Sequence, residues 1–178
     1  MSDDFGKPNY TRRGGQMLIT RLSKIAMCLA LGLFCLLVAF DNITDPSTNY
    51  TFVQHVLSMD SIFPEGSLRY RAITSPLVWQ LAYVAIIAAE ALTGILFVAG
   101  ALALWRVRHE PADVFNNRKG YAIAAGTLAF IIWFFGFMVI GGEWFAMWQS
   151  KTWNGQEAAF RFYISVLAVL VLLNQPDT

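Results

Sequence analysis

Four long apolar runs dominate this chain, and none of them alternates between apolar and polar residues. They occupy about 25–40, 76–105, 120–140 and 158–173. The hydrocarbon core of a bilayer is about 30 Å thick, so a spanning helix needs roughly 20 apolar residues. In lipid the backbone must satisfy its own polar groups, which only helices and closed barrels do. Barrel strands would need period-two alternation, which is missing here. The expected fold is therefore an all-α membrane protein, a four-transmembrane-helix bundle forming one membrane domain over 1–178. Outer loops at 41–75 and 141–157, an inner loop at 106–119 and a partly helical outer cap complete it.

Composition supports the same conclusion. Hydrophobic residues make up 56% of the chain and charged residues only 14%, with mean hydropathy +0.48. A soluble domain carries about a quarter charged residues. A net charge of +1 without a long basic run excludes nucleic acid as a partner. Segments one and four are short for a span, so they are expected to extend into flanking amphipathic residues or to meet a locally thinned membrane. Segment two would rise about 45 Å as a helix, which calls for tilt or a projecting end. Pro76 suits its first turn.

Basic residues set the orientation. Lys7, Arg12, Arg13, Arg21 and Lys24 precede the first span, and Arg106, Arg108, Arg118 and Lys119 fall between spans two and three. Arg69, Arg71, Lys151 and Arg161 fall on the other side. The imbalance predicts that both termini face the cytoplasm. The first span has no small-residue cleavage site after Phe40, so it reads as retained rather than as a signal peptide. Cys28 and Cys35, two turns apart on one helix, are expected to be packing residues.

In the first outer loop Phe52, Val53, Val56 and Leu57 recur at helical spacing beside His55 and Asp60. That pattern predicts a short helix on the bilayer surface or over the mouth of the bundle. The second, from Gly141 to Phe162, concentrates Trp144, Trp148 and Trp153 with charges of both signs. Indoles favour the membrane interface. His55, Glu143, Trp144, Trp148 and Trp153 are therefore the candidates for an external site for a lipid headgroup, a quinone ring or a partner protein. An aromatic belt is the plainer alternative. Arg161 lies inside the fourth apolar stretch, where it must snorkel or pair, with Glu143 the partner suggested by depth.

The strings Asp41–Asp45, Phe52–Asp60, Arg71–Thr74 and above all Gly141–Phe162 resemble a proteobacterial family of predicted small integral membrane proteins, catalogued as a domain of unknown function. The resemblance covers nearly the whole chain beyond residue 20. It implies four spans in a bacterial inner membrane, and it supplies no activity, substrate or catalytic residue.

Glu90 is the one acid deep in an apolar span. A charged residue there costs about 2.5–3.5 kcal/mol on insertion scales. Tyr83, Ile87, Thr93, Gly94 and Phe97 share its face, which places Glu90 inside the bundle, with Trp133 or Ser165 as the expected hydrogen-bond donor. As a structural hub or a proton-linked group it is the intramembrane polar candidate together with Arg161. The two histidines fall on opposite sides of the membrane, so one bundle cannot ligate haem through both. No spacing suggests a metal site, a phosphate loop or a catalytic residue. Three functions remain: an accessory or assembly subunit of a larger membrane complex or homo-oligomer, a small transporter or channel using Glu90, and a protein binding lipid or quinone at the external aromatic site.

Overall fold

The computed structural model describes residues 10–177, with side chains from Gly15 onward. Lys7 and the side chains of Arg12 and Arg13 lie outside the described residues. Four helical stretches are long and apolar enough to cross a membrane: Gly15–Thr44, Pro76–Arg106, Ala112–Trp144 and Gln156–Asn174. The described residues contain no strand.

The first helix, α1 (Tyr10–Thr44), extends past the apolar stretch at both ends. Pro46 opens α2 (Pro46–Ser58), where its missing N–H costs nothing. Met59, in the left-handed conformation at φ 52°, ends α2. A turn over Phe63–Gly66 and a short 3₁₀ segment (Ser67–Arg71) lead into α3 (Pro76–Arg106). The small α4 (Ala112–Asn117) precedes α5 (Gly120–Phe130), and a second 3₁₀ segment (Met147–Gln149) precedes α6 (Gln156–Asn174).

Beyond α5 the third span changes its winding. Ile131–Trp144 is a π-helix, closed at its end by the Phe145 N–H donating to the Ile140 carbonyl at 3.0 Å, five residues back. Such winding is ordinarily confined to single turns and is frequent at functional sites.

α3 packs closely on both α1 and α5. Gly32 of α1 and Gly94 of α3 face each other so closely that a Cβ on Gly94 would sit 2.9 Å from the Gly32 carbonyl oxygen. Gly100 lies directly against Ala122 of α5. Farther along, α3 scarcely touches the π segment, which packs against α6 instead. The third span thus leaves α3 as it runs toward α2, and α2 covers the resulting mouth. A small second core joins this cap to the loop after the π segment through Val56, Met59, Ile62, Phe145, Ala146 and Met147. Cys28 and Cys35 are free, fully buried in the main core. Neither is expected to react with a maleimide in the folded protein, and both should react after denaturation, as mass spectrometry of the adducts would read.

The opposite end is tied by charge. Arg21, Lys24 and Lys119 are all buried, at 1%, 2% and 4% exposure, around the carboxylate of Asp177. Arg21 Nε donates to Asp177 Oδ2 at 2.9 Å and Lys24 Nζ to Oδ1 at 2.5 Å, while Lys119 Nζ stands 3.5 Å from Oδ1. Arg21 Nη1 also donates to the carbonyls of Arg108 and Glu110, at 3.0 and 2.6 Å. The Lys24 and Lys119 ammoniums share the Gln175 carbonyl, each at 2.8 Å. Three of the basic residues that set the orientation are therefore internal. Each finds hydrogen-bond acceptors inside the protein, which offsets part of the cost of burying it, although Arg21 Nη2 has no partner among the described residues.

Candidate functional site

Glu90 lies inside the bundle at 3% exposure, on the buried face of α3 with Tyr83, Thr93, Gly94 and Phe97. Its partner is Asn42, near the end of α1, whose Nδ2 donates to Oε2 at 2.8 Å. Tyr83, two turns along α3, donates its hydroxyl to the Asn42 carbonyl at 2.5 Å. The expected donors do not serve. Ser165 donates to the Arg161 carbonyl at 2.8 Å, and Trp133 makes no hydrogen bond to the carboxylate among the described residues. Ser165 is taken by its own helix, a common fate of a hydroxyl one turn beyond a carbonyl. Asn42 becomes available because α1 continues helically past Phe40 and turns it inward at 8% exposure. Asn42 also opens a glycosylation-like triplet, and its burial removes it from any such chemistry.

This triad lines one cavity, and a second adjoins it. The first, about 290 Å³, is lined by Glu90, Asn42 and Tyr83 with Asp41 and Asn49, and walled by Phe52, Trp133, Phe137 and Phe162. The second, about 360 Å³, is an apolar cleft between α3 and the π segment beneath α2, lined by Val56, Leu57, Ala85, Ala89, Ile132 and Gly136 among others. Ile131 and Phe135 at its rim are about half exposed on the flank of the bundle. Phe52, Val53, Ile86 and Phe137 line both spaces and form the partition between them. The cleft follows from the divergence of the third span from α3. A Cβ built on Gly136 meets nothing closer than the Ile131 carbonyl oxygen at 3.9 Å, so the missing side chain leaves open space there.

The external aromatic candidates do not converge. His55 and Trp153 come together, stacked with ring centroids 4.4 Å apart and 14° between planes. The His55 Nδ1 lies 2.7 Å from Asp60 Oδ2. Trp153 also meets Phe52 edge-on at 6.4 Å, so this group clips α2 to the loop before α6. Trp144 instead lies under the Arg71 guanidinium at 4.7 Å, and Trp148 packs edge-on against Phe63 at 5.9 Å. Glu143 is exposed and joins neither group.

The expected Arg161–Glu143 pair is corrected as well. Arg161 bonds Glu157, one turn earlier on α6, with both side chains largely exposed. The i, i+4 spacing of a helix brings those two groups together without any loop having to place them. Among the described residues no three His, Cys, Asp or Glu side chains cluster as a metal site would require.

Residues 20–176 match the family described as predicted small integral membrane proteins (DUF2165). The chain belongs to this family. No curated protein and no solved structure matches it. For a member of this family, the Glu90 chamber and its apolar annex are the features on which a function can be argued, since they unite the buried acid with space for a ligand.

Proposed function

We propose that this small integral membrane protein binds a lipid-class molecule, holding its hydrocarbon portion in the cleft between α3 and the π segment, and that it carries out no covalent chemistry. The supporting observation is the cleft itself. It is almost wholly apolar in lining, roofed by α2 and bounded on the bundle's flank by half-exposed Ile131 and Phe135, so a chain reaches it laterally from the bilayer. Sites of a few hundred cubic ångströms with apolar walls and a few convergent polar groups are the usual form of small-molecule sites. The membrane would be a bacterial inner membrane, with the Arg21–Lys24–Lys119 end toward the cytoplasm, as the distribution of basic residues favours.

Filling the cleft tests this reading. Gly136→Leu is expected to fold normally, because its Cβ has room, and to abolish lipid carried through mild-detergent purification. Native mass spectrometry of both proteins reads the result. Equal retention by the variant, or none by the wild type, would overturn the proposal.

An accessory subunit docking on a larger complex is the second reading, and the cap supports it. Phe63, Tyr70, Trp144 and Trp148 stay about half exposed or more around its rim. Glycines on the spans, which in other membrane helices open faces for association, support it less. Gly94, Gly100 and Gly126 meet Leu36, Ala122 and Leu170 within this chain. Crosslinking at Trp148 followed by identification of the captured membrane subunit would distinguish this role.

A further inference from the structure

The chamber beside the cleft has an uneven set of polar groups. Two carboxylates line it, Glu90 and Asp41, and no Lys, Arg or His does. Glu90 uses Oε2 to accept from Asn42. Its Oε1 has no hydrogen-bond partner among the described residues and, unlike the fully buried Arg21 Nη2, keeps some accessible surface, although Glu90 as a whole is 3% exposed. Of the donors lining the chamber, the Tyr83 hydroxyl is engaged on the Asn42 carbonyl and Asn42 Nδ2 on Glu90 itself, while the Trp133 indole and the Asn49 amide offer neutral N–H groups and no cation. Phe52, Trp133, Phe137 and Phe162 supply aromatic rings to the same walls. Rings and carboxylates without a counter-cation form the chemical environment that attracts an ammonium group, through charge and through the negative faces of the rings. An anionic head would meet two carboxylates and no cation.

We propose that the chamber is the head-group site for a lipophilic ammonium compound, whose charged nitrogen lies against Glu90 within the aromatic walls while its alkyl tail occupies the adjoining cleft. The two spaces share Phe52, Val53, Ile86 and Phe137 as their partition, so one molecule spans both by displacing side chains of that partition, the two rings among them. Asp41, exposed at the end of α1, adds its charge at the lip of the chamber. The assignment rests on the lipid-binding reading for its tail and adds the chemistry of the head.

The test uses the full chain in digitonin micelles and decyl compounds carrying ammonium, hydroxyl, benzoquinone or phosphate heads, titrated by calorimetry. The ammonium compound is expected to bind at least tenfold more tightly than the hydroxyl compound, with the phosphate weakest. Glu90→Gln keeps an acceptor for Asn42 and should erase the ammonium preference while leaving the hydroxyl compound unchanged. Asp41→Asn should reduce the preference by a smaller factor, and it decides the matter if Glu90→Gln fails to fold. Gly136→Leu should weaken every compound alike. If all heads bind equally and Gly136→Leu weakens them all, lipid binding stands and the ammonium assignment is overturned. A preference for quinone or phosphate, or an ammonium preference that survives both carboxylate variants, also overturns it. Saturable binding of none of the four would overturn both proposals.

Discussion

Replacing Asp177 by Asn is expected to destabilise the folded protein by about 3–5 kcal/mol, the usual cost of removing one partner from a buried ion pair. The variant leaves Arg21, Lys24 and Lys119 crowded together without an anion among the described residues, each of them almost wholly buried. Thermal unfolding in detergent reads the loss. Adding Lys119→Met to Asp177→Asn should recover part of it, because one of the unneutralised cations then disappears. A variant that melts like the wild type would show that the cluster holds nothing together.

The same cluster has a pH signature. Burial alone pushes the Asp177 carboxyl up, but hydrogen bonds from Lys24 and Arg21 and the nearby charges of Lys24 and Lys119 outweigh it and hold the group below the usual carboxylate range. A depressed value in the folded state means that the contribution is fully present above the unfolded value of about 3.9 and fades as pH falls through the folded one. The stability gap between wild type and Asp177→Asn should therefore be constant near neutrality and should narrow only below about pH 4.

Gly100→Leu is the second large effect, expected to cost about 3 kcal/mol or more. Its Cβ would stand 2.7 Å from the backbone nitrogen of Ala122 and 2.9 Å from the Ala122 Cβ, so α3 and α5 would have to part. Gly126→Ala is the informative contrast. Its Cβ would meet the Leu170 side chain from Cγ outward rather than backbone, and that side chain has other rotamers to adopt, so the cost should be smaller. Unfolding in the same detergent compares the two. Similar losses would mean that the α3–α5 contact has no special tightness.

The span architecture was legible because a bilayer imposes one simple requirement, a run of apolar residues of sufficient length. The inward placement of Glu90 was legible too, since Tyr83, Thr93, Gly94 and Phe97 fall on its side at helical spacing. Its partner was not. Asn42 is 48 residues away, and its direction depends on α1 continuing helically beyond the apolar stretch. The tryptophans drew attention by rarity, but only Trp153 reached His55, because the loop path after Trp144 decides which rings meet. Asp177 drew none: a polar residue beyond the last span reads as solvated until the fold brings three cations around it. The change of winding at Ile131 leaves no mark in composition or hydropathy, and the cleft that depends on it was invisible for that reason.

That change of winding also bears on length. As a plain α-helix the stretch Gly120–Trp144 would rise about 37 Å, several ångströms more than a hydrocarbon slab of about 30 Å. Hydrogen bonds reaching back five residues instead of four place more residues in each turn and so foreshorten the rod. An overlong segment that would otherwise have to lean can stand closer to upright, the surplus being absorbed in its own coil.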